Sequence, residues 1–139
     1  MARNPKPFGN KPLIDETFKS GVDLTSNMMR CVEIWGSQTV TAGTATANTV
    51  SSYIIGIQAP EIPDSGTGKD IRVILGGVCP AIAGGAFTAG ALLCPQTNTS
   101  KLVAATSATA DRVIARALTS ASADSAVATI LLIPTSILL

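Results

Sequence analysis

The sequence contains 28 consecutive residues without a charge, from Val73 to Ser100. A run of this length is long enough for a membrane-spanning helix, which needs about 20 predominantly apolar residues. Its content argues against a span, because five glycines and two prolines interrupt it and the polar stretch PQTNTS closes it. We therefore expect short strands and turns here, and no membrane association.

Short apolar runs rich in β-branched residues recur along the chain. They are MRCVEIW, YIIGIQ, KDIRVIL, GALLC, KLVAA, RVIARA and ATILLI, and small or polar residues separate them. Ala, Thr, Ser and Gly supply 60 of the 139 residues, as is typical of short strands joined by many turns. This pattern predicts an all-β fold, either a small β-sandwich or a partly open β-barrel.

Local patterns predict individual connections. SQTVTAGTATANTV indicates a hairpin that turns near Ala42-Gly43, and the Pro, Asp and Gly content of APEIPDSGTG indicates a loop. A polar turn is expected over 96 to 100 and another at ASADS, whereas AGGAFTAGALL leaves room for one short helix. At the C-terminus, SAVATILLIPTSILL predicts a buried strand followed by a short tail.

One pattern occurs twice. YIIGIQ and RVIARA each lead through a loop of small or polar residues into a second strand, IRVIL in the first case and ATILL in the second. The hypothesis is that one strand, loop, strand unit is repeated and that the two copies pair in one sheet. Convergent strand composition is the alternative.

Residues 1–24 differ from the rest of the chain. They hold three of the eight prolines and two of the three phenylalanines, without a helical or strand period. We expect an extended N-terminal arm, followed by a single β-domain over residues 25–139. The arm is predicted either to be a floppy terminus or to contact a neighbouring subunit or partner through Arg3, Lys6, Phe8, Leu13, Ile14 and Phe18.

The chain has no histidine, which excludes several kinds of active site. A Ser/His/Asp triad, a Cys/His pair and a His-ligated zinc site all require one. Three widely spaced cysteines within apolar runs are expected to be buried, reduced thiols. With a net charge of +1 the chain lacks the broad basic surface that nucleic-acid binding needs. We expect no catalytic, cofactor-binding or metal site.

The stretch PDSGTGKD, residues 63–70, is the one segment similar to an enzymatic motif. A phosphate-binding loop has the form GxxxxGK[ST] and leads into a helix. Here Pro63 stands at the first glycine position and Asp70 follows Lys69, where the magnesium-binding hydroxyl belongs. The residues after Asp70 predict a strand, so a solvated loop is expected.

Four short segments follow one another along the chain: Ile55-Gly56-Ile57, Gly85-Ala86-Phe87-Thr88-Ala89-Gly90, Lys101-Leu102-Val103-Ala104-Ala105 and Ala115-Arg116-Ala117-Leu118. In that order, and over about residues 22 to 133, the sequence resembles the small capsid cement, or head decoration, proteins of tailed bacteriophages. The order of the segments carries the resemblance. Ala115 departs from the family pattern, which has glycine there, and Ala91-Leu92-Leu93 is more apolar than the family's continuation.

The resemblance implies a compact β-domain that assembles as a homotrimer on the outer surface of a phage head. It also implies a virion protein, made in the host cytoplasm, that binds the major capsid protein and cements the shell without a cofactor. Another virion component, such as a tail or head-fibre module, is the alternative. A nucleotide-binding enzyme that uses the GTGKD loop is a distant third.

Overall fold

A computed structural model describes residues 14–42, 54–96, 98–105 and 112–138. These ranges contain nine strands and no helix, which confirms the all-β prediction. The strands are β1 (Ile14–Ser20), β2 (Cys31–Gly36), β3 (Thr39–Ala42), β4 (Ile54–Gln58), β5 (Asp70–Ile82), β6 (Leu92–Pro95), β7 (Leu102–Ala104), β8 (Arg112–Ala117) and β9 (Val127–Leu138).

Five strands close into a ring in the order β1, β3, β2, β4, β5 and back to β1. All neighbours are antiparallel except β1 and β3, which are parallel and pair at Lys19↔Thr39 and Ser20↔Val40. We call this the first ring. A compact cluster of buried side chains belongs to it, formed by Leu24, Val32, Val40, Ile71 and Val73. Closure removes the exposed edges that an open sheet would have.

The remaining strands continue from the second half of β5 and form a second ring. Residues 77–82 of β5 pair with residues 127–132 of β9, and the sheet proceeds through β8 and β6 to β7. β7 then returns to the end of β5 by one parallel bridge, Ala83↔Leu102, where the amide of Gly84 donates to the carbonyl of Leu102 at 2.7 Å. The larger core cluster, which includes Phe87, Leu93 and Ile130, packs here.

β5 is therefore shared by both rings, and it continues without a break through two adjacent glycines, Gly76 and Gly77. Gly76 pairs with Ile14 of the first ring and Gly77 with Leu132 of the second. Gly77 has φ +100°, a conformation that glycine adopts without the steric cost of a Cβ. This residue marks the point where β5 passes from one set of partners to the other.

The predicted boundary of the arm at residue 24 is wrong, because the first ring already includes β1. Phe18 and Leu24 contribute to the first-ring core. The charged sequence IDETFKS forms a strand because it pairs with β5 and β3, and two of its charges also meet opposite charges on β5. Arg72 Nε donates to Asp15 Oδ2 at 2.7 Å, and Lys19 pairs with Asp70. Residues 1–13 lie outside the described ranges, so an arm there stays a prediction.

Most other local predictions are confirmed, including the 59–69 loop and the turns after β6 and before β9. β2 and β3 form a hairpin that turns at Ser37-Gln38. The hairpin predicted to turn near Ala42-Gly43 extends into residues outside the described ranges and stays a prediction. AGGAFTAGALL forms turns and a bridge, not a helix, and β9 continues to Leu138 where a short tail was expected. The two repeated units are the hairpins β4–β5 and β8–β9, and β5 pairs with β9, as the repeat hypothesis predicted.

Candidate interaction surface

The loop that resembles a phosphate-binding motif is fastened to the end of β1. Ser20 Oγ donates to the carbonyl of Gly66 at 3.0 Å and accepts from the amide of Lys69 at 2.9 Å. The amide of Gly68 donates to the carbonyl of Ser20 at 2.7 Å. Two amides of this loop, those of Gly68 and Lys69, are thus bonded to Ser20, and a strand follows where a helix N-terminus would be needed. The loop links β1 to β5.

All three thiols are buried and reduced, as predicted. Burial raises the pKa of the Cys31 thiol far above its ordinary value, and it raises that of Cys79 to about 12. A cysteine nucleophile requires the thiolate, which such an environment disfavours. These side chains therefore act as small apolar members of the core.

A buried amide pair holds the segment between β1 and β2. Gln58, 1% exposed, donates through Nε2 to the carbonyl of Leu24 at 2.9 Å. Its Oε1 accepts from Asn27 Nδ2 at 3.3 Å, and the same nitrogen lies 3.2 Å from the carbonyl of Cys31. Buried amides bonded in this way fix a loop instead of presenting groups to a ligand.

Ionic contacts on the second ring join two of its turns. Lys101 Nζ, on a side chain that is 12% exposed, donates to Asp124 Oδ1 at 2.8 Å and to Ser125 Oγ at 3.0 Å. The Lys101 hydrogen bond holds the pKa of Asp124 below its ordinary value. Within the described ranges, no group of three or more Cys, Asp or Glu side chains is arranged to hold a metal ion.

A shallow cleft of about 150 Å³ lies between the 59–63 loop and the start of β5. Glu61, Asp70 and Arg72 line its polar side and Ile62, 76% exposed, its apolar side. Small-molecule sites are commonly about 300 to 1,000 Å³, so the cleft is small for a ligand of that kind. In the part of the chain that the structure describes, no helix has the length and hydropathy needed to cross a bilayer.

Two of the predicted arm contacts lie on β1, and the structure separates them. Phe18 is partly buried against the first-ring core and so helps to stabilise the ring, and its predicted contact with a partner stays a prediction. Ile14 is 59% exposed and remains available for contact. The other four residues lie outside the described ranges and stay predictions: Arg3, Lys6, Phe8 and Leu13.

The register of β5, β9, β8 and β6 places a set of apolar side chains on the side of the sheet opposite the core. Directly opposed residues of antiparallel strands share a face. The pairs Ile82↔Val127, Val78↔Leu131 and Arg116↔Leu131 connect three of the strands, and Leu92↔Arg116 connects the fourth. We call this set the outer apolar face; it comprises Val78, Pro80, Ile82, Leu92, Leu118, Val127, Leu131 and Ile133.

None of these residues is fully buried. Val127 is 56% exposed, Leu131 40% and Leu118 39%, and the others are partly exposed. Within residues 77–82, 92–95, 113–118 and 127–133, Arg116 is the one charge, and its Nη1 donates to the carbonyl of Gly90 at 2.9 Å. The sequence did not reveal this face, because ATILLI is apolar at every outward and inward position except Thr129 and so has no polar side.

Together these features define a class: an all-β protein of two fused strand rings whose most prominent surface feature is an apolar sheet face. No protein-family model matches the sequence. A search of curated proteins likewise gave no match.

Among solved structures, the fold is similar to that of the head fiber gp8.5 N base of bacteriophage phi29. The TM-score is 0.58 at 16% sequence identity, and the match covers 91% of this chain and 98% of that chain. The similarity extends over nearly the whole of both chains. The fold described above is therefore one found in a phage head protein.

Proposed function

We propose that this chain is a structural protein of a phage head. In this proposal it binds the outer surface of the capsid as a homotrimer and stabilises the shell by bridging major capsid protein subunits. The observation that carries the proposal is the fold shared with a head fibre base over 91% of the chain. The resemblance of its sequence phrases to decoration proteins is an independent support.

The structure suits a role in binding more than one in chemistry. Its polar groups fasten loops and strand ends, as Ser20 does for the GTGKD loop and Gln58 for the β1–β2 segment. A small protein acts through interface area, at about 800 Å² per partner for a standard contact. Three linked copies would bind a shell with avidity, since the first contact raises the effective concentration of the others.

The base of a head fibre is the second candidate, and the fold comparison favours it directly. The matched structure is itself such a base, and 98% of it is covered. A cement protein and a fibre base differ in what they carry, so their place and surroundings on the particle distinguish them. A cement protein bridges capsid subunits, whereas a fibre base also supports a projecting element.

The test uses heads that lack this protein and the purified full chain. We expect saturable binding to heads in co-sedimentation, density on the outer shell by electron cryomicroscopy, and a higher temperature of DNA release from decorated heads. Heads that take up no protein at micromolar concentration would refute the proposal. Binding of the protein to heads without any gain in head stability would refute the cementing function and leave the fibre base as the remaining candidate.

The predicted contact of the N-terminal residues with the capsid has its own test. Deletion of residues 2–13 removes Arg3, Lys6, Phe8 and Leu13 and leaves β1 intact. We expect weaker binding to heads with an unchanged circular dichroism spectrum. A deletion that reaches residue 20 would not serve, because it would open the first ring. Unchanged occupancy on heads would show that these residues make no essential contact.

The remaining functional expectations stay predictions. They are the absence of enzymatic activity and cofactors, synthesis in the host cytoplasm, and the absence of nucleic-acid or membrane partners. The nucleotide-binding alternative is tested by Lys69→Ala together with an assay for phosphate release. Phosphate release by the wild type that is lost in the Lys69→Ala variant would support the nucleotide-binding alternative.

A further inference from the structure

We propose that the N-terminal segment, residues 2–13, docks on the first ring of its own subunit and places the side chain of Lys6 in the cleft beside Ile62. The occupant is a basic segment of the same chain, and the surface that receives it is acidic. The contact forms in the free subunit and does not depend on the proposed function.

The first argument is the distribution of charge along the chain. Residues 1–13 contain Arg3, Lys6 and Lys11 and no acidic residue, so their side chains carry a net charge of +3. Residues 14–76, which include β1 to β4 and the first-ring half of β5, contain seven acidic and four basic residues, a net charge of −3. The remainder of the chain is close to neutral, at +1. The segment and the first ring therefore attract each other electrostatically.

The second argument is a carboxylate that is not neutralised. Asp15 and Asp70 are paired with Arg72 and Lys19 on the surface of the first ring. Glu61 lines the same cleft as Asp70 and Arg72, and its carboxylate has no ion pair or hydrogen-bond donor among the described residues. A cation that enters the cleft therefore meets an acidic group that no cation of the first ring has taken.

The third argument is the size and lining of the cleft. Its volume of about 150 Å³ equals that of about five water molecules, which is the size of one lysine side chain. Ile62 and Pro63 form its apolar side, and Ile62 is 76% exposed. A lysine stem packs on such a surface while its ammonium group stays near carboxylates, here those of Glu61 and Asp70.

The fourth argument is reach. β1 begins at Ile14, which lies opposite Gly76, and the cleft is at residues 70–72 of β5, four to six residues away. This separation is about 14 to 20 Å along the strand. Lys6 is eight residues before Ile14 and stands between two prolines, whose extended backbone spans about 3.1 Å per residue, or about 25 Å in all. The segment can therefore bring Lys6 to the cleft.

The strength of these contacts identifies the same subunit as the source of the segment. An exposed ion pair contributes about 0 to 1 kcal/mol, too little to hold a separate partner at micromolar concentration. A segment that is tethered through β1 has an effective concentration in the millimolar range, so weak contacts are sufficient to populate the docked state.

The experiment measures the amide chemical shifts of Glu61 and Ile62 by NMR, in the full chain and in a chain without residues 2–13. We expect these shifts to differ at about 0.01 M salt and to become equal at about 1 M salt, because the Debye length falls from about 30 Å to about 3 Å. The amide of Leu118, in the second ring, is the internal control and should not move.

Lys6→Glu should abolish the difference at low salt. Lys11→Glu is the matched control, because it makes the same change of charge in the same segment but lies only three residues before β1, a reach of about 9 Å. Glu61→Lys should also abolish the difference, and its combination with Lys6→Glu should restore it.

Equal shifts in the full and shortened chains at low salt would overturn the inference. Loss of the difference in Lys11→Glu to the same extent as in Lys6→Glu would overturn the assignment of Lys6. A difference that decreases on dilution would show that the segment comes from a second copy. Because no head is present, none of these results bears on the proposed function.

Discussion

Gly56 in β4 is the position where one added methyl group should do the most damage. A Cβ built on Gly56 would lie 2.1 Å from the carbonyl oxygen of Ile74 and 3.1 Å from Val73 Cγ1. The first contact is with the backbone of β5, which cannot rotate away as a side chain would. Gly56→Ala must therefore push β4 and β5 apart.

The loss in the free energy of unfolding caused by Gly56→Ala can be estimated from these contacts of β4 with β5. Overpacking of a core costs about 1 to 3 kcal/mol. Separation of the strands also weakens ladder hydrogen bonds near Ile57↔Ile74 and Gln58↔Val73, at about 1 kcal/mol each. We expect a loss of about 3 to 5 kcal/mol in the free energy of unfolding, or about 10 to 15 °C in Tm for a chain of this size.

Urea unfolding followed by circular dichroism, at matched protein concentrations, measures this loss. Gly85→Ala is the control, because no atom outside the adjoining residues lies within 4 Å of the Cβ that it would add. Its stability should stay within about 1 kcal/mol of the wild type. A Gly56→Ala variant as stable as Gly85→Ala would refute the close approach of β4 and β5.

Three further predictions concern the buried and paired polar groups. Gln58→Leu should cost about 2 to 3 kcal/mol in urea unfolding, because it removes the side-chain donor to the buried carbonyl of Leu24; equal midpoints would contradict this. The pKa of Asp124 is lowered in the folded chain by the hydrogen bond from Lys101, so its stabilising effect is present above the ordinary pKa of an aspartate and is lost as the pH falls through the lowered pKa. The unfolding midpoints of the wild type and Asp124→Asn should thus differ at pH 7 and converge in acid. A difference that grows in acid would show that folding does not lower the pKa of Asp124. The three thiols should resist a thiol reagent at pH 8 in the native chain and react fully in denaturant, since all three are buried and burial raises the pKa of Cys31 and of Cys79; rapid native labelling would show that they are accessible.

Much of the strand content could be predicted from the sequence, because β-branched runs and turn residues are local signals. IIGIQ, RVIARA and the loop over residues 59–68 appear where those signals placed them. The repeated strand, loop, strand unit was also visible, and the pairing of β5 with β9 confirms its placement in one sheet.

Non-local features could not be predicted in the same way. The sequence GGVCP has glycines and a proline that favour a break, yet β5 continues through it because β1 and β9 pair with its two halves. IDETFKS has the composition of a loop, and it forms a strand because β5 and β3 pair with it and Phe18 packs on the first-ring core. The outer apolar face arises from register between four strands, which no single segment specifies.

The position of β5 in both rings has a consequence for synthesis of the chain. All five strands of the first ring lie within residues 14–82, so they emerge from the ribosome before β9, which begins at Val127. The N-terminal part of a protein tends to fold first while the chain is being synthesised. The second half of β5 then lacks its partner while residues 83–126 are made, with Cys79 and Ala81 uncovered. The nascent chain is therefore most exposed to misassociation between the appearance of β5 and that of β9, and the first ring holds one end of β5 in place during that interval.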